Sequence, residues 1–194
     1  METQSPSGTG VVGDGYVSMF VPEGAADGSI GPPTPEIYRV VFSMESKIDP
    51  ESFVGRTARS FSRVLYEYKG NVDNSDGDLI IDFDGTKLWL TSEPPYDSLV
   101  VKSGTWTDSF KESVSPENAE FIATHGKWTL RVCDADLPFR ECVGRKLVSV
   151  SNLMSRHGCL AGLRLQFEER SLYFYIGGDM SIVDVSLRTD FTEQ

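Results

Sequence analysis

Five carboxylates fall within twelve residues of this chain: Asp73, Asp76, Asp78, Asp82 and Asp84. Glu93, Tyr96 and Asp97 follow shortly after. Acids at this density can hold a cation, act as a general acid and base, or present negative charge to a basic partner. A calcium loop needs oxygen ligands at alternate positions, glycine at the sixth and glutamate at the twelfth. Counted from Asn71 the sixth and twelfth residues are Asp76 and Asp82, and counted from Asp73 the sixth is Asp78. Neither register fits, and the flanks alternate as strands do, so neither a metal ion nor a cofactor is expected. Crowded like charges repel one another, and a basic protein relieves that repulsion. These eight residues are therefore the expected partner-binding surface, on what reads as a polar loop and hairpin over 71–84. Tyr96 and Trp106 are candidate aromatic anchors. Trp89 and Trp106 suit the packing of a core equally well.

Nothing else in the chain has the pattern of an active site. There is no nucleophile elbow, phosphate loop or dinucleotide fingerprint in a usable context. His125 falls at the end of a predicted helix, where a partly positive imidazole is favourable. His157 lies in a loop with Gly158 and Cys159, and sequential proximity alone does not make a nucleophile pair. Cys133, Cys142 and Cys159 have no ligand spacing. An odd count without a secretory leader suggests reduced thiols in the cytoplasm. No apolar stretch approaches the length that spans a bilayer.

The net charge of −11 is unevenly placed. Residues 1–65 hold eight acids and five bases, residues 66–120 twelve acids and four bases, and residues 121–194 nine of each. Such a field disfavours nucleic acid and attracts a basic protein. Neither a membrane nor a small-molecule ligand is expected as a partner.

The elements that position these residues come from a duplication. The run from Phe53 through Val54-Gly55-Arg56 to Ser60, Ser62 and Val64 returns 89 residues later as Cys142, Val143-Gly144-Arg145, Ser149, Ser151 and Leu153. After a loop five residues shorter in the second copy, Leu79, Ile81, Phe83, Leu88, Trp89 and Leu90 answer to Leu163, Leu165, Phe167, Leu172, Tyr173 and Phe174. A repeat this long is one structural unit used twice. The alternation within it predicts half-buried strands. Asp84-Gly85 predicts a two-residue hairpin turn, whereas Glu168-Glu169-Arg170 calls for another geometry. Ser115-Pro116-Glu117 opens a helix that Gly126 ends, with Ala119, Phe121 and Ile122 expected on its buried face.

The expected fold is mainly β (α+β): two similar antiparallel β modules from an internal duplication, joined by a short helix. The expected division is a flexible or irregular arm over 1–35 containing one short strand at 16–21, a first module over 36–104 opening with a strand at 37–42, a linker with the helix over 105–126, and a second module over 127–194. In that scheme residues 128–132 are the counterpart of the strand at 37–42.

A Val-Gly-Arg turn into a strand, followed by an alternating hairpin, resembles the small β-rich immunity proteins encoded beside bacterial polymorphic toxins. The resemblance covers 53–102 and 142–187. It implies a cytoplasmic, non-enzymatic protein that binds a cognate toxin domain and blocks it by occlusion, and it carries over no catalytic residues. The acidic balance fits, because nuclease toxins have basic clefts. Slower association after replacing Asp73, Asp76 and Asp78 with Asn is then expected. The alternatives are a hydrolase or transferase with a carboxylate site between the modules, and a non-catalytic structural or adaptor subunit.

Overall fold

Residues 48–93, 98–110, 115–177 and 180–194 are described by a computed structural model. The arm, the strands expected at 16–21 and 37–42, and residues Tyr96 and Asp97 lie outside them. The described strands form two five-stranded sheets. The first contains β1 (Ser60–Tyr68), β2 (Asn71–Phe83), β3 (Thr86–Glu93), β4 (Ser98–Ser103) and β5 (Lys127–Val132), in the order β4-β3-β2-β1-β5. The second contains β6 (Leu147–Ser155), β7 (Leu160–Phe167), β8 (Arg170–Gly177), β9 (Met180–Asp184) and β10 (Phe191–Glu193), in the order β10-β6-β7-β8-β9. Every pairing is antiparallel. A single α-helix, α1 (Pro116–His125), stands between β4 and β5 among the described residues.

The repeated Val-Gly-Arg segments join the sheets by pairing with each other. Gly55 N–H donates to the Leu147 carbonyl (2.7 Å) and Leu147 N–H to the Arg56 carbonyl (2.9 Å). Gly144 N–H donates to the Ala58 carbonyl (2.8 Å) and Ala58 N–H to the Arg145 carbonyl (2.9 Å). Exchanging every residue for its repeat counterpart turns the first pair of bonds into the second. Thr57 and Lys146, themselves counterparts, face each other in an antiparallel bridge on the axis of this pseudo-twofold. Gly55 and Gly144 hold φ of 88° and 78°, a left-handed backbone that glycine adopts without steric cost.

The same symmetry runs through the core. Leu79, Ile81, Phe83, Leu88 and Leu90 are buried from the first sheet, and Leu163, Leu165, Phe167, Leu172 and Phe174 from the second, in one cluster. Phe83 and Phe167 occupy equivalent places and stack on each other, with centroids 6.5 Å apart and planes 8° from parallel. Phe61 meets both Phe139 (5.6 Å) and Phe167 (5.8 Å), and Phe53 meets Phe83 (5.1 Å). The two modules therefore share one core. Mutual burial of this kind is what units of this size need in order to be stable.

The turns differ between the copies as their residues require. Asp84 and Gly85 both take positive φ (56° and 87°), the geometry of a two-residue hairpin turn. Glu168 and Glu169 connect Phe167 to Arg170 without positive φ. The Gln166 side-chain amide lies over that turn and donates to the carbonyls of Phe167, Glu168 and Arg170 at 3.2–3.3 Å.

Two expectations are corrected. The strand at 127–132 hydrogen-bonds to β1, so it adds to the first sheet. Its register places Leu130 beside Val64 and Trp128 beside Tyr66, which covers apolar surface on the outer face of that sheet. The helix has its expected ends: the Ser115 hydroxyl accepts from Asn118 N–H (3.2 Å), and Gly126 closes it at φ 77°. It buries no residue, however. Ala119 and Phe121 are exposed and Ile122 is half-buried. The Phe121 ring lies against the rings of Phe110 (6.3 Å) and His125 (4.8 Å).

Phe83→Ala and Phe167→Ala are each expected to cost about 3–5 kcal/mol of unfolding free energy. Because the rings touch, the double variant should lose less than the sum. Urea titration of the four proteins measures both.

Candidate functional site: the acidic face of the first sheet

The aspartate-rich run is a strand rather than a loop. β1 turns into β2 through Lys69-Gly70, both at positive φ (50° and 77°), and β2 then continues for 13 residues. Its register with β1 jumps from Leu65↔Gly77 to Tyr66↔Asp73, so residues 74–76 bulge out of the ladder. A buried arginine holds the bulge. Arg63 lies between the inward-facing Phe61 and Leu65, only 6% exposed. Its guanidinium donates to the carbonyls of Asn74 (2.8 Å), Gly77 (2.9 Å) and Ser181 (3.3 Å). Burial pushes its pKa down, and Cys133 together with the carboxylates of Asp76, Asp78 and Asp73 opposes that shift. Gly77 permits the close approach: a Cβ there would stand 2.2 Å from the Val64 carbonyl oxygen.

Most of the acids are thus engaged within the chain. Asp76 Oδ1 accepts from Ser181 N–H (2.6 Å) and ties β2 to β9 in the other sheet. Asp78 Oδ2 accepts from Trp89 Nε1–H (2.9 Å). Burial pushes the Asp78 carboxyl up, against hydrogen bonds from Thr91 and Trp89 and the charge of Lys102. Asp82 Oδ1 accepts from Gly85 N–H (2.7 Å) in the hairpin turn, and Asp84 pairs with Arg59 (2.6 Å) on the surface. Asp73 is exposed, and its Oδ1 accepts from Ser75 N–H (2.8 Å) and Ser75 Oγ–H (2.6 Å). The Ser75 hydroxyl and then its amide lower the Asp73 pKa. The side chain of Glu93, like Tyr96 and Asp97, lies outside the description. The extra charge of the first copy therefore has a structural role, because it frames Arg63, whose repeat counterpart is the neutral Asn152.

The aromatic residues divide in the same way. Trp89 is buried on the outer face of the first sheet with Val64 and Ile80, and Trp106 and Leu130 pack against it. Trp106 is thus a packing residue. Trp128 on β5 is 44% exposed and meets Tyr66 edge to face at 5.7 Å. Register places Trp128, Tyr66 and Asp73 side by side on three adjacent strands. Tyr68, two residues on, is also exposed. Neither the aromatic part of this row nor Arg63 is among the site residues expected from the sequence. A signal for Arg63 is present in the sequence: a charge in the inward phase of an alternating strand, between Phe61 and Leu65.

No family model, curated protein or solved structure matches this chain. The space between the sheets, where a carboxylate pair was one alternative, is filled by the shared phenylalanine and leucine core. A shallow groove on the outer face of the first sheet is lined by Ser60, Ser62, Asp82, Lys87 and Thr105. There Lys87 Nζ donates to the Thr105 hydroxyl (3.1 Å) and Asp82 serves the hairpin turn. No group of three or more His, Cys, Asp or Glu among the described residues is arranged to hold a metal ion, and no described helix is long and apolar enough to cross a membrane. Cys133 and Cys142 are buried, and burial raises both thiols, that of Cys142 to about 11. Cys159 is exposed.

Three outcomes are expected. Arg63→Ala should cost about 3 kcal/mol through its lost charged hydrogen bonds, and amide exchange should rise over 73–77. Folding raises the Asp78 pKa, so its stabilising contribution is complete below the unfolded value of about 4 and is lost as pH climbs through the folded value. Asp78→Asn, which keeps an acceptor for Trp89, should match or exceed the parent in stability at neutral pH and lose that advantage under acid, as read by urea titration at both. Of the three thiols, Cys159 alone should react with a disulfide reagent until the chain is unfolded.

Proposed function

We propose that this chain is a non-enzymatic binding protein of the immunity type, which neutralises a cognate bacterial toxin domain by occluding it. The observation that carries the reading is the uneven placement of charge along the duplicated fold, in which the acidic excess lies on the first module and the linker helix and the second module is balanced. The copies share their core and their crossing ladder. Yet residues 66–120 hold twelve acids against four bases, while residues 121–194 are balanced. Part of that excess frames Arg63. Asp73 on β2 and Glu117 and Glu120 on α1 remain exposed and make no ion pair among the described residues. A field of one sign on one half of a molecule speeds its encounter with an oppositely charged protein and orients the approach.

A toxin domain encoded beside this chain is the natural test. Co-expression is expected to restore growth, and stopped-flow mixing is expected to show a one-to-one complex whose association rate falls about ten-fold or more from low to high salt. Asp73→Asn, Glu117→Gln and Glu120→Gln together should lower the low-salt rate and flatten its salt dependence. Asp76 and Asp78 are unsuitable for this test, because both are half-buried and engaged within the chain, Asp76 by the Ser181 amide and Asp78 by the Trp89 indole. Failure of co-expression to restore growth, or a rate indifferent to salt, sinks the reading.

A further inference from the structure

We infer that Trp128, Tyr66 and Asp73 form a receptor for an arginine side chain of a basic protein. The inference rests on the proposed binding role only in taking the partner to be basic. The second sheet shows the recognition unit completed within the chain. On its outer face the Arg164 guanidinium lies 6.0 Å from the centre of the Tyr173 ring and pairs with Glu193 (2.8 Å). Beside it the Arg188 guanidinium lies 5.6 Å from the centre of the Tyr175 ring and pairs with Asp184 (3.3 Å). Each unit comprises an aromatic face, a carboxylate on a neighbouring segment and a guanidinium that engages both.

The outer face of the first sheet repeats two of these three parts. Trp128 and Tyr66 supply the aromatic surface, and Asp73 follows in the same cross-strand row. Neighbouring strands lie about 4.8 Å apart. A guanidinium over Tyr66 therefore has Trp128 on one side and Asp73 on the other. Asp73 Oδ1 is taken by Ser75, and Oδ2 makes no hydrogen bond among the described residues. The nearby described bases are engaged elsewhere: Lys69 lies over Tyr68 (4.8 Å), Lys127 pairs with Asp108 (3.0 Å), and Arg63 is buried on the opposite face. None stacks on Trp128 or Tyr66, and none pairs with Asp73. Arginine fits better than lysine, because a planar guanidinium stacks on a ring while its edge bonds a carboxylate.

The probes are two short peptides of equal charge, one arginine-rich and one lysine-rich. Binding is followed by the indole N–H signals of the labelled full chain, with Trp128 assigned through Trp128→Phe. The arginine peptide should move the Trp128 signal and leave buried Trp89 unmoved, and it should bind several-fold tighter than the lysine peptide. Asp73→Asn and Trp128→Ala should each weaken it about ten-fold. Trp128→Leu, which keeps an apolar contact for Tyr66, should abolish the preference for arginine while leaving the unfolding midpoint close to that of the parent. Equal binding of the two peptides, or binding unchanged in Asp73→Asn and Trp128→Leu, overturns the receptor. Arginine binding that persists when no toxin is neutralised supports the receptor and removes only the immunity reading. Toxin binding indifferent to both variants overturns the receptor and leaves that reading standing.

Discussion

Backbone groups at the corner between two sheets must find partners or lose stability, and in this protein they find them in each other. The four hydrogen bonds among Gly55–Ala58 and Gly144–Leu147 satisfy amides and carbonyls that would otherwise be stranded between β1 and β6. Everything else follows from that crossing. It fixes the distance between the sheets, brings Phe83 over Phe167, and places the inward phase of all the central strands on one core. The second tie, from Arg63 and Asp76 to Ser181, closes the sheets at another point and belongs to one copy alone. The shared contact defines the architecture, and the unshared one makes the two halves unequal.

The core and the hairpins are legible in the sequence because each rests on a local rule. Alternation of Leu163, Leu165 and Phe167 with polar residues names the buried face, and Asp84-Gly85 names its turn. The helix ends are legible for the same reason: Ser115, Pro116 and Gly126 act within one turn of themselves. The burial of the helix is not, because the spacing of its apolar residues names a face and not the surface that would cover it. The partner of β5 is also illegible, since sequence order equates it with a strand of the second unit and only register shows that it lies beside β1.

The acidic run shows the limit most plainly. Aspartate and glycine are poor strand formers, so residues 71–78 read as a loop. A strand forms there because Arg63 and Ser181 hold the bulge from 11 and 105 residues away, distances that no local rule spans. Asp76, Asp78 and Asp82 are engaged within the fold, and exposed charge remains at Asp73. The aromatic surface that accompanies it comes from Trp128 on β5, not from Trp106.

The crossing ladder has one further property. Each copy carries both the donors and the acceptors that its counterpart requires, and Phe83 meets its own equivalent on the axis. A surface with that property is isologous, the kind that joins identical subunits about a twofold. The covalent link between the copies therefore contributes proximity rather than chemistry. It also frees the halves from identity: once they are joined, a substitution alters one side of the axis and not both. The bulge around Arg63, with no equivalent at Asn152, is an asymmetry that two identical subunits could not hold.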